Sequence, residues 1–205
     1  MKPGEPIRLA RKRHGQSSRH SLTFDPSAVG EGRVIAGPQE LGPVLKKANP
    51  RKIALVVGSD TLQQPMGWLP VELAALLMGE GFKVAGCGDA VLWMVKNGLA
   101  ADHRQPAVAV LNDDPWLALE GLAAANATNG LRGICFTGLR TCRDFAVALG
   151  LASLGIRVCV SSPLPFWGSE MVRKTLSKKV GAVGGTFTHS DHPAEPQEIL
   201  EWFKE

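Results

Sequence analysis

A doubly wound α/β sheet, mostly parallel and with helices on both faces, is the architecture this sequence predicts, and three observations predict it. Short, almost continuously apolar runs alternate with helical patterns along most of the chain. Those runs do not alternate polar with apolar, as a half-exposed strand would, so they read as strands covered on both faces. Nearly every run ends in small or polar turn residues before the next helix begins. Parallel neighbours of this kind need right-handed helical crossovers, which winds the sheet in both directions.

The elements follow in order. A helical segment from Pro38 runs through Leu41, Val44, Leu45 and Ala48 and stops before Pro50. Lys52–Gly58, KIALVVG, is the first buried strand. A loop punctuated by Pro65, Gly67 and Pro70 leads to a helix over Val71–Met78, closed by Gly79 and Gly81. Phe82–Ala85 is a strand ending in Gly86-Cys87-Gly88-Asp89, and Ala90–Asn97 is a helix. Ala107–Leu111 is a strand ending in Asn112-Asp113-Asp114-Pro115, followed by a helix over Trp116–Ala125. Gly133–Thr137 is a strand and Cys142–Leu154 a long helix. Ile156–Val160 is a strand running into Ser161-Ser162-Pro163, with a helix over Glu170–Lys178. Val180–Phe187 supplies a sixth strand, and Glu195–Phe203 closes the chain as a helix. This makes a Rossmann-like domain of five to six strands over residues 33–205, preceded by an arm over residues 1–32.

The arm is basic, polar and rich in Gly, Ser and Pro, so it is expected to be extended and flexible. Residues 1–20 carry Lys2, Arg8, Arg11, Lys12, Arg13 and Arg19 against Glu5, a net charge of +5 in a chain of +4. The remainder is therefore about −1, and the basic character belongs to the tail. That distribution argues against a specific nucleic-acid reader, which carries its charge on the folded domain. The four cysteines, Cys87, Cys135, Cys142 and Cys159, form no CxxC pair and no zinc spacing. They suit a reducing, cytoplasmic setting, and no intrinsic metal is expected. No apolar run is long enough for a membrane span, and the N-terminus shows no signal-peptide core.

In a doubly wound sheet, ligands bind beyond the carboxyl ends of the strands, where the strand order reverses. The residues standing there are Gly58-Ser59-Asp60, Gly86, Gly88 and Asp89, Thr137, Gly138 and Arg140, and Ser161-Ser162. Glycine admits close backbone approach to a phosphate, and helix N-termini offer free N–H groups and a positive dipole end. Every βα loop also needs turn residues, and the dinucleotide fingerprint is incomplete: GCGDAV has two glycines, with Val91 near the third place. No P-loop and no GxSxG elbow occur. Arg140, Thr141 and Arg143 open a helix that would hold an anion, with Cys142 in its first turn; Thr141 reads equally well as an ordinary N-cap. His189-Ser190-Asp191-His192 lacks a third metal ligand nearby. The proline-rich stretch Pro163–Gly168, with Trp167, would line a pocket or meet a partner.

The helix ending Lys46-Lys47-Ala48-Asn49-Pro50, followed by Arg51–Gly58, resembles the opening of the NAD/FAD-binding domain shared by deoxyhypusine synthase and the central domain of thiamine-diphosphate enzymes. Within that group residues 33–203 look most like the epsilon subunit family of carbon monoxide dehydrogenase/acetyl-CoA synthase. Asp114-Pro115-Trp116 through Gly121, and Phe187 followed by the Glu198–Phe203 helix, carry the likeness further. The resemblance implies an accessory, non-catalytic subunit with a cleft for FAD or NAD. It also implies a nickel–iron catalytic partner subunit that holds the metal clusters, in a homo- or hetero-oligomer. The alternatives are a stand-alone nucleotide-dependent oxidoreductase, using Asp60 or Asp89 on a ribose and Cys142 as a thiol, and an interaction module without ligand.

Overall fold

The computed structural model describes residues 34–35, 52–58, 64–99, 108–110, 115–124, 128–139, 141–162, 164, 168–189 and 195–205. The expected arm, the helix from Pro38, and residues Ser59, Asp60 and Arg140 lie outside them, as do Ser190, Asp191 and His192.

One seven-stranded sheet forms the centre. Its strands are β1 (Val34–Ile35), β2 (Ile53–Gly58), β3 (Lys83–Gly88), β4 (Val108–Val110), β5 (Leu131–Phe136), β6 (Arg157–Val160) and β7 (Thr186–His189). The spatial order is β1-β4-β3-β2-β5-β6-β7, and every adjacent pair is parallel. The sequence predicts five or six strands. The two-residue β1 adds one more at the edge beside β4, and so short a segment carries no periodicity to read.

Six helices lie among the described residues: α1 (Trp68–Gly79), α2 (Asp89–Lys96), α3 (Pro115–Ala124), α4 (Cys142–Ser153) and α5 (Glu170–Gly181) connect strands, and α6 (Pro196–Lys204) follows β7. Strand alternation sends Ile53, Leu55, Val57, Ile134, Phe136, Val158 and Val160 to one face, against Ala118 of α3, Ala148 and Leu151 of α4 and Val180 of α5. Ala54, Val56, Val84, Cys135 and Cys159 point the other way, against Leu73 and Leu77 of α1, Met94 of α2 and Ile199, Leu200 and Phe203 of α6. Each face is thus an apolar layer, and fully burying one such Leu or Val contributes about 1.5–3 kcal/mol.

Helix ends follow local chemistry. Thr141 caps α4 in a full capping box: its side chain accepts from Asp144 N–H, and the Asp144 carboxylate accepts from Thr141 N–H at 2.9 Å. After α1 and α4 the chain reverses through Gly81 and Gly155, both at positive φ. The next amide returns to the carbonyl five residues back, Phe82 to Leu77 and Ile156 to Leu151.

Two boundaries differ from the sequence expectation in ways that matter. Val180 belongs to α5, so the last strand is confined to Thr186–His189. Gly86 and Cys87 lie inside β3 rather than in the loop after it, paired with Val56 and Val57 of β2.

Candidate functional site

The strand order reverses between β2 and β5. From β2 the chain steps outward to β3 and β4, then crosses back through α3 to β5 and continues to β6 and β7. Leaving aside β1, the order is that of a dinucleotide-binding sheet, and its switch point lies at the carboxyl ends of β2 and β5.

At that point the backbones touch. Gly58 ends β2 with φ +134°, and a Cβ there would stand 3.0 Å from the amide and carbonyl of Gly138 and from the amide of Thr137. Gly88 ends β3 opposite Gly58. Its φ is +71°, and a Cβ on it would stand 3.3 Å from the Gly58 carbonyl. Glycine is needed at both positions because three loops are stacked main chain on main chain.

The hydroxyls are committed in a repeated pattern. Thr137 donates both its N–H (2.8 Å) and its Oγ1 (3.2 Å) to the Val57 carbonyl. Ser161 donates its N–H (2.9 Å) and Oγ (3.1 Å) to the Phe136 carbonyl. Each of these two residues, directly after its strand, therefore satisfies a carbonyl near the end of the neighbouring strand. Their oxygens keep acceptor capacity but are buried. Ser162 is also buried, and His189 Nε2 of β7 lies 2.8 Å from its carbonyl and 3.1 Å from the Leu164 amide. An imidazole Nε2 donates to the first or accepts from the second, according to its tautomer. Sequence reading places His189 in a possible metal cluster; its structural role is to pin the chain leaving β6. A contact spanning more than twenty residues leaves no local signal.

Asp89 opens α2 immediately after β3. Dinucleotide folds carry their ribose-binding carboxylate at the end of the strand beside the switch strand, and Asp89 occupies that place. Gly86 does not belong to this rim. Its Cβ position would meet Met94 Sδ at 2.7 Å, so it lies within the sheet beneath α2 and explains itself by packing. Thr137, Gly138, Gly58, Gly88 and Asp89 therefore come together, while Ser161 and Ser162 stand one strand further along.

The start of α4 is already served by an anion. The Asp144 carboxylate takes the Thr141 amide, so a phosphate there would have to displace it. Cys142, the first residue of that helix, is exposed. Among the described residues no group of three His, Cys, Asp or Glu side chains is placed to hold a metal ion, and no helix is long and apolar enough to cross a membrane.

A cleft of about 620 Å³ opens at the opposite end of the sheet, near the start of β5 and β6. Trp116, Leu119, Glu120, Leu131, Leu154 and Ile156 line it. Its walls are chiefly apolar, and it shares no lining residue with the switch point.

No protein-family model and no curated protein matches the chain. Among solved structures, carbon monoxide dehydrogenase IV from Carboxydothermus hydrogenoformans is similar over 80% of this chain and 31% of its own, with a TM-score of 0.62 at 18% identity. The carbon monoxide dehydrogenase from Thermococcus sp. AM4 gives 0.63 at 17% identity, over 80% of this chain and 30% of its own. The alpha subunits of an acetyl-CoA synthase/carbon monoxide dehydrogenase give 0.58 at 15% identity, over 81% and 30%. This chain thus spans under a third of the length of these proteins, and the doubly wound sheet it shares with them is the fold of a segment of carbon monoxide dehydrogenase-type chains.

Proposed function

We propose that this chain is an accessory, non-catalytic subunit of a carbon monoxide dehydrogenase/acetyl-CoA synthase-like complex, acting in the cytoplasm beside a nickel–iron catalytic subunit. The observation that carries this reading is the likeness, over 80% of the chain, to a segment of carbon monoxide dehydrogenase IV. The epsilon-type assignment rests on the sequence resemblance around Lys46–Gly58, Asp114–Gly121 and Glu198–Phe203. In this reading FAD or NAD lies across the switch point. Asp89 faces a ribose, and the main chain at Gly58, Thr137 and Gly138 faces the phosphates, with Ser161 and Ser162 at the far side.

Purification from the native host tests the first part. A stable complex with a nickel- and iron-containing protein supports it; free chain alone, with that protein present elsewhere in the extract, overturns it. An absorbance spectrum of fresh protein and thermal shifts with FAD, NAD and NADP test the second part. A flavin spectrum or a shift lost in Asp89→Ala supports a dinucleotide site.

The contact of Gly58 with Gly138 and Thr137 favours a second reading. Loop packing accounts for these glycines without any ligand, as in an interaction module. That reading expects the complex, no bound flavin and no thermal shift with any of the three dinucleotides.

A further inference from the structure

Cys135 and Cys159 face each other across β5 and β6 as Cα partners in the parallel ladder, and both are free thiols. Strand alternation turns both toward α6, where they share an apolar cluster with Ile199, Leu200 and Phe203. Cys135 is fully buried and Cys159 is 4% exposed. The two side chains are hydrogen-bonded to each other, and that bond, with burial, pushes the Cys135 thiol well above its ordinary pKa. Adjacent strands stand about 4.8 Å apart, inside the Cα separation of roughly 4.4–6.8 Å that a disulfide spans. Bridging the pair then requires side-chain rotation and Cβ atoms brought to roughly 3.5–4.5 Å of each other.

The barrier to reaction is the cover. α6 is a nine-residue helix at the end of the chain. It is held by the buried Pro196, Ile199, Leu200 and Phe203, by Trp202 packed over Gly133 and stacked against the Arg157 guanidinium, by Arg157 Nη2 donating to the Trp202 carbonyl at 2.6 Å, and by a Lys204–Glu80 pair at 3.2 Å. The thiols meet a solution oxidant only when this cover lifts, and local openings of this kind can lie below the free energy of unfolding the whole domain.

We propose that Cys135 and Cys159 are a reversible disulfide-forming site, gated by α6, whose oxidant is a low-molecular-weight disulfide. With α6 seated the thiols are sealed from solvent. When it lifts, Cys159 loses its proton to water and its thiolate attacks one sulfur of the oxidant. The oxidant's S–S bond breaks, one small thiolate leaves and takes up a proton, and Cys159 carries a mixed disulfide. Cys135, deprotonated in turn, attacks Cys159 Sγ and expels the second small thiol. The chain gives up two electrons and two protons, and both small thiols leave reduced. Cys87 faces the opposite side of the sheet, and the exposed Cys142 needs no helix movement to react.

The test incubates the full chain with oxidised glutathione, quenches in acid and maps disulfides by mass spectrometry. The expected product is a Cys135–Cys159 bridge with no glutathione retained on either residue and with Cys87 reduced. Phe203→Ala should speed bridging about tenfold, the change that roughly 1.4 kcal/mol less cover produces. In the unaltered chain, the urea dependence of the bridging rate should be much shallower than that of global unfolding. Lasting glutathione on one of the two residues, a bridge through Cys87 or Cys142, or no oxidation would overturn the proposal. So would a bridging rate with the urea slope of global unfolding.

Discussion

Trp202 lies directly over Gly133: a Cβ on that glycine would stand 2.7 Å from Cη2 of the indole and 2.9 Å from Cζ3. The missing side chain in β5 is the seat on which the C-terminal helix rests. Gly133→Ala is expected to lift α6 and destabilise the protein by about 1–3 kcal/mol, as small-to-large changes in tight sites do. The midpoint of urea unfolding checks it, and an unchanged midpoint would mean that α6 is not seated on β5.

Arg157 holds the same helix from the neighbouring strand. Its guanidinium lies over the Trp202 ring at 4.7 Å and donates to the Trp202 carbonyl at 2.6 Å. Arg157→Met keeps most of the stem but loses both interactions, and should cost about 1–2 kcal/mol in the same assay. Glu205→Gln should have no measurable effect. That ion pair is 3.9 Å long and Glu205 is 77% exposed, so solvent screens it.

Gly58→Ala should destabilise the fold whether or not a dinucleotide binds. The substitution forces an unfavourable φ and drives a methyl group against main-chain atoms of Thr137 and Gly138 that have nowhere to move. A loss of about 1–3 kcal/mol is expected. Thermal unfolding without added ligand measures it, and a variant as stable as the parent would show that the β2 and β5 loops are apart in solution.

Stability should fall on the alkaline side. The Cys159 hydrogen bond, then burial, raise the Cys135 pKa above its ordinary 9.0. The folded state therefore binds this proton more tightly than the unfolded chain. The contribution is fully present below about pH 9 and is lost as pH climbs from the unfolded value toward the folded one. Urea midpoints from neutral pH into the alkaline range should decline, and the decline should flatten in Cys135→Ala. An equally steep decline in that variant would assign the effect to other groups.

Much of the fold is written locally. IALVVG at Ile53–Gly58 is apolar throughout because both faces of β2 are covered, and Thr141 with Asp144 marks the start of α4 within four residues. Glycine was harder to read. Gly86 reads as a loop residue, yet it sits inside β3 because Met94 leaves no room for a side chain. The switch point was visible as a set of strand ends. What those ends do to one another, Thr137 and Ser161 closing off neighbouring carbonyls and His189 pinning Ser162, depends on pairings between distant segments. Arg157 and Trp202, 45 residues apart, carry no shared local pattern at all.

The central pairing has a consequence for biosynthesis. Thr137 reaches the Val57 carbonyl across 80 residues, so β2 waits for β5 to be synthesised before its second edge is covered. Until then an emerging chain presents β2, one of its most apolar strands, with a bare row of amides and carbonyls. Late long-range closure of this kind is slow and exposes nascent protein to clumping. Expression at lower temperature, or with chaperones that hold unfinished chains, should raise the yield of correctly closed molecules.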